Sequence, residues 1–457
     1  MTKHNSMDKR SFLKRLPVLA GGVILSQQAI VACAPKAQNP PLKNWAGNLT
    51  YSTEKVHYPI QVGEVQELVQ NYDKIKALGS RHSFNRIADS KHCLVSLEKM
   101  NKVVALDKTA HTITVEAGAK YGEFVPYLHE NGYALPNLAS LPHITVVGAC
   151  ATATHGSGIK NNNLSSSVSA IEFVDASGQL VTLSKQKDPE IFPGAVVGLG
   201  ALGVVTKITL DLLPTFDMSQ VVYLDLPIAE LENNFLELQF RGYSVSLFTD
   251  WKNKNINEVW IKSIASDQVT AADLELYGAK LATENIHPVA TQSAETVTEQ
   301  RGIPGPWYER MPHFKMGFKP STGEELQSEY FVRIEHAYDA LLAMEKIHEK
   351  ISPHLFISEI RTIKGDEFWM SPCYHKDSVA IHTTWKQDID TVTGLIQLVE
   401  EQLAPFDPIP HWAKLFTMTP KLLQSKYEKL ADFKQLVARY DRNGKFRNDF
   451  LNESLFT

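Results

Sequence analysis

The sequence contains little cysteine, no excess of positive charge and no long uninterrupted apolar segment. Its four cysteines form no CxxC pair and no Cys/His cluster, which argues against a disulfide framework and predicts no metal site. The 46 Lys and Arg residues are outnumbered by 51 Asp and Glu residues, so a nucleic acid partner is not expected. Hydrophobic residues make up 43% and charged residues 21%, which argues against disorder and against a multi-span membrane protein.

The length of 457 residues indicates two or three domains, since a single core rarely extends beyond about 250 to 300 residues. Strand and helix patterns alternate without an internal repeat, which predicts an α+β organisation, and the pattern loosens after Pro214. Helices are predicted at residues 64–71, 121–130, 338–351, 389–403 and 420–440, and strands at residues 74–78, 112–116, 171–174, 179–183 and 204–212.

The first 32 residues have the pattern of an export signal. Basic residues at positions 9, 10, 14 and 15 precede a mostly apolar run, residues 16–32, that is too short and too polar to span a membrane stably. Residues 8–14 resemble a twin-arginine export motif with Lys9 in place of the first arginine. The twin-arginine route and the general export route therefore both stay open.

Residues 30–33, Ile-Val-Ala-Cys, resemble a bacterial lipobox, which implies that Cys33 becomes a lipidated N-terminus. Residues 33–43, with three prolines, would then form a linker between the lipid anchor and the folded chain. The expected location is the periplasmic or cell-surface side of a membrane. An ordinary signal peptide with an incidental cysteine is the alternative.

Two segments rich in glycine and hydroxyl side chains, residues 77–85 and 140–158, are the candidates for holding a cofactor. A predicted strand leads into Gly79, where small residues let backbone amides approach an anionic group closely. This first segment contains neither the G-x-x-x-x-G-K-[ST] phosphate loop nor the G-x-G-x-x-G dinucleotide turn. The second segment is long enough for an extended cofactor to lie along it.

Residues 79–85, 138–158 and 411–414 together resemble the alditol oxidase and xylitol oxidase group of the vanillyl-alcohol-oxidase-type flavoproteins, which are related to the aldonolactone oxidases. The resemblance implies an α+β fold, in which a two-subdomain FAD-binding domain of the PCMH type carries an inserted α+β substrate cap domain. The implied boundaries are residues 44–215 for the FAD-binding domain, 216–387 for the cap, and 388–457 for a C-terminal segment that returns to the FAD-binding domain.

The resemblance also implies that His82 is joined covalently to the 8α-methyl group of FAD. A loop histidine that caps backbone groups is the alternative for this residue. Cys150 is the nearest candidate for a second, cysteinyl link, although burial as a packing residue is the more common state of a free cysteine. The other implied cofactor contacts are Gly79, Ser80, Arg81, Ser83, Asn85, Ser140, Thr145, Gly148, Thr152, His155, Gly203 and Val204.

Two strand patterns and one lysine form the expected substrate side. Glu359 and Arg361 alternate with period two and share one face, as do His382 and Thr384, while Lys414 lies among apolar residues. A salt-bridged surface strand and a surface lysine are the alternatives. The resemblance implies that Ser140, Glu359, Arg361, Thr384 and Lys414 bind substrate hydroxyls, and that Lys414, Arg361, His382 and Glu359 are catalytic.

The implied reaction is FAD-dependent oxidation of a terminal alcohol of a polyol, such as xylitol or sorbitol, to the aldose. Hydride would pass to flavin N5, and O2 or another electron acceptor would reoxidise the flavin, with O2 giving H2O2. Two alternatives stay open: an aldonolactone oxidase or dehydrogenase of the D-arabinono-1,4-lactone oxidase type, and a flavin-bearing lipoprotein without turnover of its own.

Overall fold

The structure is a computed structural model that describes residues 41–267, 277–318 and 324–457. The predicted signal at residues 1–32 and the predicted lipidation site Cys33 lie outside the described residues. Across the described part of the chain, no helix is both long and apolar enough to cross a membrane.

The first half of the chain forms two main sheets. Strands β1, β3 and β2 form a parallel three-stranded sheet in that order, and β4, β5, β9, β7 and β8 form an antiparallel five-stranded sheet. The short strands β6 and β10 pair with each other. The bounds are β1 Val56–His57, β2 Lys76–Leu78, β3 Leu94–Ser96, β4 Val103–Asp107, β5 Thr112–Glu116, β6 Tyr133–Ala134, β7 Val168–Val174, β8 Leu180–Ser184, β9 Val204–Asp211 and β10 Leu213–Pro214.

A large antiparallel sheet, here called the cap sheet, follows. Its strands run in the order β14, β11, β13, β12, β17, β18, β16, β19, and β15 pairs with β11. The bounds are β11 Asp217–Pro227, β12 Ser244–Thr249, β13 Asn255–Ile264, β14 Lys280–Leu281, β15 Gly305–Pro306, β16 Glu325–Arg333, β17 Leu355–Ile363, β18 Ser378–Lys386 and β19 Ile409–Pro410.

Helices cover the sheets and close the two largest apolar cores of the described residues. One core joins the five-stranded sheet, α2, α3, α4 and the C-terminal helices, and the other joins the cap sheet with α5, α7, α8 and α9. The bounds are α1 Val62–Asn71, α2 Tyr121–Glu130, α3 Val146–Ala151, α4 Phe192–Val196, α5 Leu231–Phe240, α6 Trp307–Arg310, α7 Ala337–Glu345, α8 His348–Ile351, α9 Ile389–Leu403, α10 Pro420–Ser425, α11 Leu430–Tyr440 and α12 Asp449–Leu451.

Several predicted elements are confirmed with their bounds, namely the strand at residues 112–116 and the helices at residues 121–130 and 389–403. Two long predicted helices are wrong in extent, because each divides into two shorter helices, α7 with α8 and α10 with α11. Between α10 and α11, Tyr427 is buried and its ring stacks on Trp412 with 5.0 Å between ring centroids. The chain leaves the helical conformation where Tyr427 packs, although the periodicity of the sequence predicts one continuous helix.

The C-terminal segment returns to the first domain later than position 388. Helix α9 begins after Asp388, whose carboxylate accepts a hydrogen bond from the Thr391 amide. Its apolar residues at positions 392, 396, 399 and 403 recur at helical spacing and are buried in the core of the cap. The chain then forms the edge strand β19 of the cap sheet. Trp412 packs in the core of the first domain, Met418 still packs in the core of the cap, and the helices from Leu423 onward pack again in the core of the first domain.

Candidate active site

A cavity of about 330 Å³ lies between the glycine-containing segments of the first domain and the cap sheet. The cavity brings together residues that are more than 300 positions apart in the sequence. The predicted site residues that line it are Gly79, Ser80, Arg81, His82, Ser83, Ser140, Thr145, Gly148, Thr152, His155, Gly203, Glu359, Arg361, His382, Thr384 and Lys414.

Two predicted cofactor residues do not line the cavity. The Asn85 side chain donates to the carbonyl oxygens of Trp412 and Lys414, at 2.9 and 2.7 Å, so it positions the Lys414 segment instead. Val204 is fully buried in a separate apolar cluster, while its neighbour Val205 faces the cavity, because side chains alternate along β9.

The wall on the first-domain side is a glycine cradle made by Gly79, Gly148 and Thr145. A Cβ atom on Gly79 or Gly148 would lie 2.8 or 2.7 Å from Thr145 Oγ1, so a side chain at either position would crowd this hydroxyl. Thr145 Oγ1 is buried and has no hydrogen-bond partner within the protein. A buried hydroxyl left unpaired between two glycines fits a polar cofactor that approaches the backbone here.

His82 lies at the end of the cradle, directly after Arg81, whose φ of 65° is in the left-handed region. Its ring stacks on Trp45 with 4.7 Å between centroids, and neither ring nitrogen has a hydrogen-bond partner with normal geometry. Burial, together with the nearby charge of Lys414, lowers the pKa of His82 to about 3. His82 is therefore a neutral imidazole with an available nitrogen lone pair at the cavity wall.

The opposite wall is one face of the cap sheet. Glu359, His382 and Glu329 stand directly opposite one another on the adjacent strands β17, β18 and β16, so their side chains form one row. Arg361 lies two residues from Glu359 on the same face. All four residues are buried at 7% exposure or less, which is costly for charged groups unless they are paired.

Ion pairs and hydrogen bonds connect the residues of this row to neighbouring side chains. Arg361 donates to Glu329 at 2.9 Å and to the Ser140 hydroxyl at 3.2 Å, which links the cap to the first domain. His313 lies 2.7 Å from a Glu359 carboxylate oxygen. Burial would raise the pKa of Glu359, but the positive charge of Arg361 and the hydrogen bond from His313 hold it below its usual range.

Lys414 reaches the same cavity from the segment that follows β19. Its ammonium lies over the Phe84 ring, 4.7 Å from the centroid, and donates to the side-chain oxygen of Gln327. Burial lowers the pKa of Lys414 to about 8, although the Glu329 carboxylate opposes the shift. Lys414 is thus a cation at neutral pH that can lose its proton in mildly alkaline solution.

Several cavity residues were missed by the sequence reasoning, among them Gln327, Glu329, His313 and His411. Residues 325, 327 and 329 are polar and alternate with period two along β16, which is the same signal that found Glu359 and Arg361. His313 follows Pro312 in a loop and carries no periodic signal. His411 lies in the motif at residues 411–414, in which only Lys414 is predicted to have a role.

The residues present fit FAD. They provide a cradle free of side chains, an unpaired buried hydroxyl and a neutral imidazole beside a row of paired charges. Within residues 41–267, 277–318 and 324–457, no group of three His, Cys, Asp or Glu side chains is placed to hold a metal ion. Cys150, the candidate for a second link, is fully buried with its sulfur 3.6 Å from the Tyr121 hydroxyl, and burial raises the pKa of its thiol to about 12.

Comparison with known proteins finds an alditol oxidase from a Streptomyces species that is 42% identical over 415 residues, 90% of this chain and 98% of that protein. The chain belongs to the alditol oxidase family. The L-gulonolactone oxidase of Mus musculus is 26% identical over 91% of this chain and 98% of its own length. Residues 54–184 match the model of an FAD binding domain, and residues 314–454 match that of D-arabinono-1,4-lactone oxidase.

Solved structures show the same fold at low sequence identity. The cholesterol oxidase of B. sterolicum superposes with a TM-score of 0.71 at 15% identity and covers 91% of this chain and 96% of its own. A carbohydrate oxidase from Microdochium nivale gives a TM-score of 0.68 at 15% identity, with 89% and 93% covered. The PCMH-type α+β fold predicted from the sequence is confirmed. As a member of the alditol oxidase family, this protein is an FAD-dependent oxidoreductase that acts on CH–OH groups.

Proposed function

We propose that this protein oxidises a terminal alcohol of a small polyol to the aldehyde, with O2 as the final electron acceptor and H2O2 as the second product. The observation that carries the proposal is the buried row of Glu359, His382 and Glu329 beside Arg361, facing the cradle across one cavity. A chain of hydroxyl groups needs several directed donors and acceptors at fixed spacing, and this row supplies both. The similarity to an alditol oxidase supports the same substrate class.

FAD, when bound, supplies the two-electron acceptor for the hydride that leaves the alcohol carbon. Ser140, Glu359 and Thr384 bind the hydroxyl groups of the substrate and orient its terminal carbon toward the cradle. Arg361 and Lys414 stabilise the negative charge that develops on the reacting oxygen as its proton leaves. Because Arg361 and Glu359 are held by partners, little reorganisation accompanies this charge development.

His82 is proposed as the residue that attaches FAD covalently. Its two unpaired ring nitrogens and the lowered pKa leave a lone pair available for a bond to carbon. The stacking of the ring on Trp45 fixes its orientation. A permanent bond prevents loss of the cofactor, which suits an enzyme that works outside the cytoplasm.

An aldonolactone oxidase is the second candidate. The match of residues 314–454 to the D-arabinono-1,4-lactone oxidase model favours it, because this part of the chain contains Glu329, Glu359, Arg361, His382 and Lys414. A lactone presents a ring in place of an open chain of hydroxyl groups.

A substrate panel on the purified yellow protein decides between the candidates. Sugar alcohols, aldonolactones and reducing sugars are mixed with it without oxygen, and bleaching of the flavin absorbance is followed. Fast bleaching by alditols is expected, and air should then restore the colour and yield H2O2. If only lactones bleach the flavin, the substrates are aldonolactones and not alditols. If no compound bleaches it, a flavin protein without turnover is favoured.

Export and lipid anchoring at Cys33 remain proposals that rest on the N-terminal sequence. The mature protein should begin at residue 33 and partition with membranes, and the Cys33→Ser variant should be soluble or unprocessed. Mass spectrometry of the mature N-terminus measures this directly. Residues 1–32 retained in the mature wild-type protein would end the proposal.

A further inference from the structure

Glu329 is the least exposed of the cavity carboxylates, at 1%, and basic side chains from three different segments converge on one of its oxygens. Arg361 from β17 donates to Oε1 at 2.9 Å. His155, from the loop after α3, places Nε2 at 3.2 Å from the same oxygen, and His382 from β18 places Nδ1 at 3.6 Å. His411 and Lys414 are the other basic residues near this carboxylate.

The hydrogen bonds of His155 determine where its hydrogens are. Its Nδ1 lies 2.8 Å from the carbonyl oxygen of Gly156, which can only accept, so Nδ1 carries a hydrogen. Its Nε2 faces a carboxylate oxygen of Glu329, which also accepts when ionised. A neutral imidazole has one N–H group and cannot donate at both positions. Together, His155 and Glu329 therefore hold one proton more than a neutral histidine and an ionised glutamate would hold.

That proton is on His155 and not on Glu329. The guanidinium of Arg361 donates to the same Glu329 oxygen, and a protonated carboxyl group would weaken this contact. Burial would raise the pKa of Glu329, but the neighbouring His155 and His382 outweigh burial and bring it well below its usual value. Glu329 is thus ionised and His155 carries a hydrogen on both ring nitrogens.

The same carboxylate orients His382. Burial lowers the pKa of His382, so its ring is neutral and carries one hydrogen. Because Nδ1 faces Glu329, the tautomer with hydrogen on Nδ1 is favoured, and the lone pair is then on Nε2. This Nε2 lies 3.2 Å from the Thr384 hydroxyl, and both residues line the cavity.

We propose that Glu329 is a positioning residue, held ionised between Arg361 and a doubly protonated His155, which aims the Nε2 lone pair of His382 at the substrate hydroxyl. In the oxidation, the O–H bond of the substrate breaks and a new N–H bond forms at His382 Nε2. The C–H bond of the alcohol carbon breaks as well, its hydride would pass to the bound FAD, and the carbon is left as a carbonyl. The charge of Glu329 stabilises the imidazolium that forms, as a carboxylate behind a histidine base does. The role in proton transfer rests on the proposed alcohol oxidation, whereas the proton on His155 does not.

The proton on His155 is tested without substrate by NMR of the holoenzyme labelled with ¹⁵N-histidine. One histidine of the resting holoenzyme should show two protonated nitrogens, because both ring nitrogens of His155 donate. The signal should be absent from His155→Gln, which assigns it, and should be lost in Glu329→Gln. A His155 ring with a single protonated nitrogen would overturn the proposal, whatever the substrate panel shows.

The positioning role is tested by the pH dependence of anaerobic flavin reduction, with the compound that reduces the flavin fastest. Glu329→Gln should lower the plateau rate on the order of 100-fold. Without the carboxylate, the imidazolium of His382 is less favourable, so the acidic limb of the profile should move to lower pH. Glu329→Asp keeps the charge and should restore the position of this limb.

Glu400→Gln is the matched control. Glu400 accepts from the hydroxyl of Tyr330, the neighbour of Glu329 on β16, and Tyr330 points to the opposite face of the sheet. This variant weakens the contacts of a half-buried carboxylate, to Tyr330 on the same strand and to Thr417 and Met418, without touching the cavity row. Equal losses of rate and an unmoved limb in both variants would show that Glu329 only supports the strand, and would overturn the positioning role.

Discussion

The two walls of the cavity are built in opposite ways. The glycine cradle comes from two continuous segments, residues 77–85 and 140–158, and depends on backbone and on missing side chains. The cap wall comes from β16, β17 and β18, and depends on buried charges that are paired across strands. The comparison shows that binding a large cofactor and positioning a small polar substrate make different demands on a protein.

The costs of the two walls also differ. Glycine in the cradle gives up conformational entropy on folding, about 0.5 to 1 kcal/mol per residue relative to alanine. Buried charges in the cap wall lose hydration, which only good partners offset. Each wall should therefore fail in its own way when a single residue is changed.

The largest effect is expected for His82→Ala in the cradle. The wild-type flavin should stay with the polypeptide after acid precipitation, and the variant should release all of it, because it lacks the neutral imidazole proposed to carry the bond. Absorbance of the supernatant and of the pellet measures the attachment. Cys150→Ala is the control and should keep its flavin. Release of all flavin from the wild-type protein would show that the flavin is not covalently attached.

Beside the cap wall, Lys414→Met should slow anaerobic flavin reduction on the order of 100-fold, about 2.7 kcal/mol of barrier, since the variant keeps side-chain length but loses the charge. The flavin spectrum should hardly change. Stopped-flow absorbance with a good polyol measures the rate. A rate within a few fold of wild type would mean that Lys414 has only a packing role.

The lowered pKa of Lys414 predicts an alkaline limit for the same reaction. The ammonium is charged below about pH 8 and neutral above it, so the reduction rate should fall as the pH rises through this value. In Lys414→Arg the limit should move to much higher pH, because a guanidinium stays protonated. If the wild-type rate does not fall up to alkaline pH, Lys414 does not stabilise the negative charge on the reacting oxygen.

A smaller effect is expected at Gly156, which lies in the second glycine-containing segment behind the cradle. A Cβ atom on Gly156 would lie 2.3 Å from the Leu138 carbonyl oxygen, so Gly156→Ala should lower the free energy of unfolding by about 1 to 3 kcal/mol. Gly63 in α1 meets no atom within 4 Å, and Gly63→Ala should leave stability equal or raise it by up to about 1 kcal/mol. Denaturant unfolding measures both, and equal values would show that position 156 tolerates a side chain.

Sequence patterns located most of both walls. Gly79, His82 and Thr145 lie in short motifs, and a short motif keeps its geometry because neighbouring backbone atoms are covalently close. The pairs Glu359 with Arg361 and His382 with Thr384 follow from the alternation of side chains along a strand. The sequence also placed α2 and α9 correctly, since their apolar residues recur at helical spacing.

The tertiary structure decided which strands are neighbours. Nothing in the local pattern places Glu329 opposite His382, or brings His155 to the same carboxylate from 174 positions away. The tertiary structure also determines that α9 packs on the cap sheet and that the Asn85 side chain donates to the Lys414 carbonyl oxygen. Periodicity determines the face on which a side chain lies, because that depends on the adjacent backbone. The partner across that face depends on strand order, which is set by the packing of the whole chain.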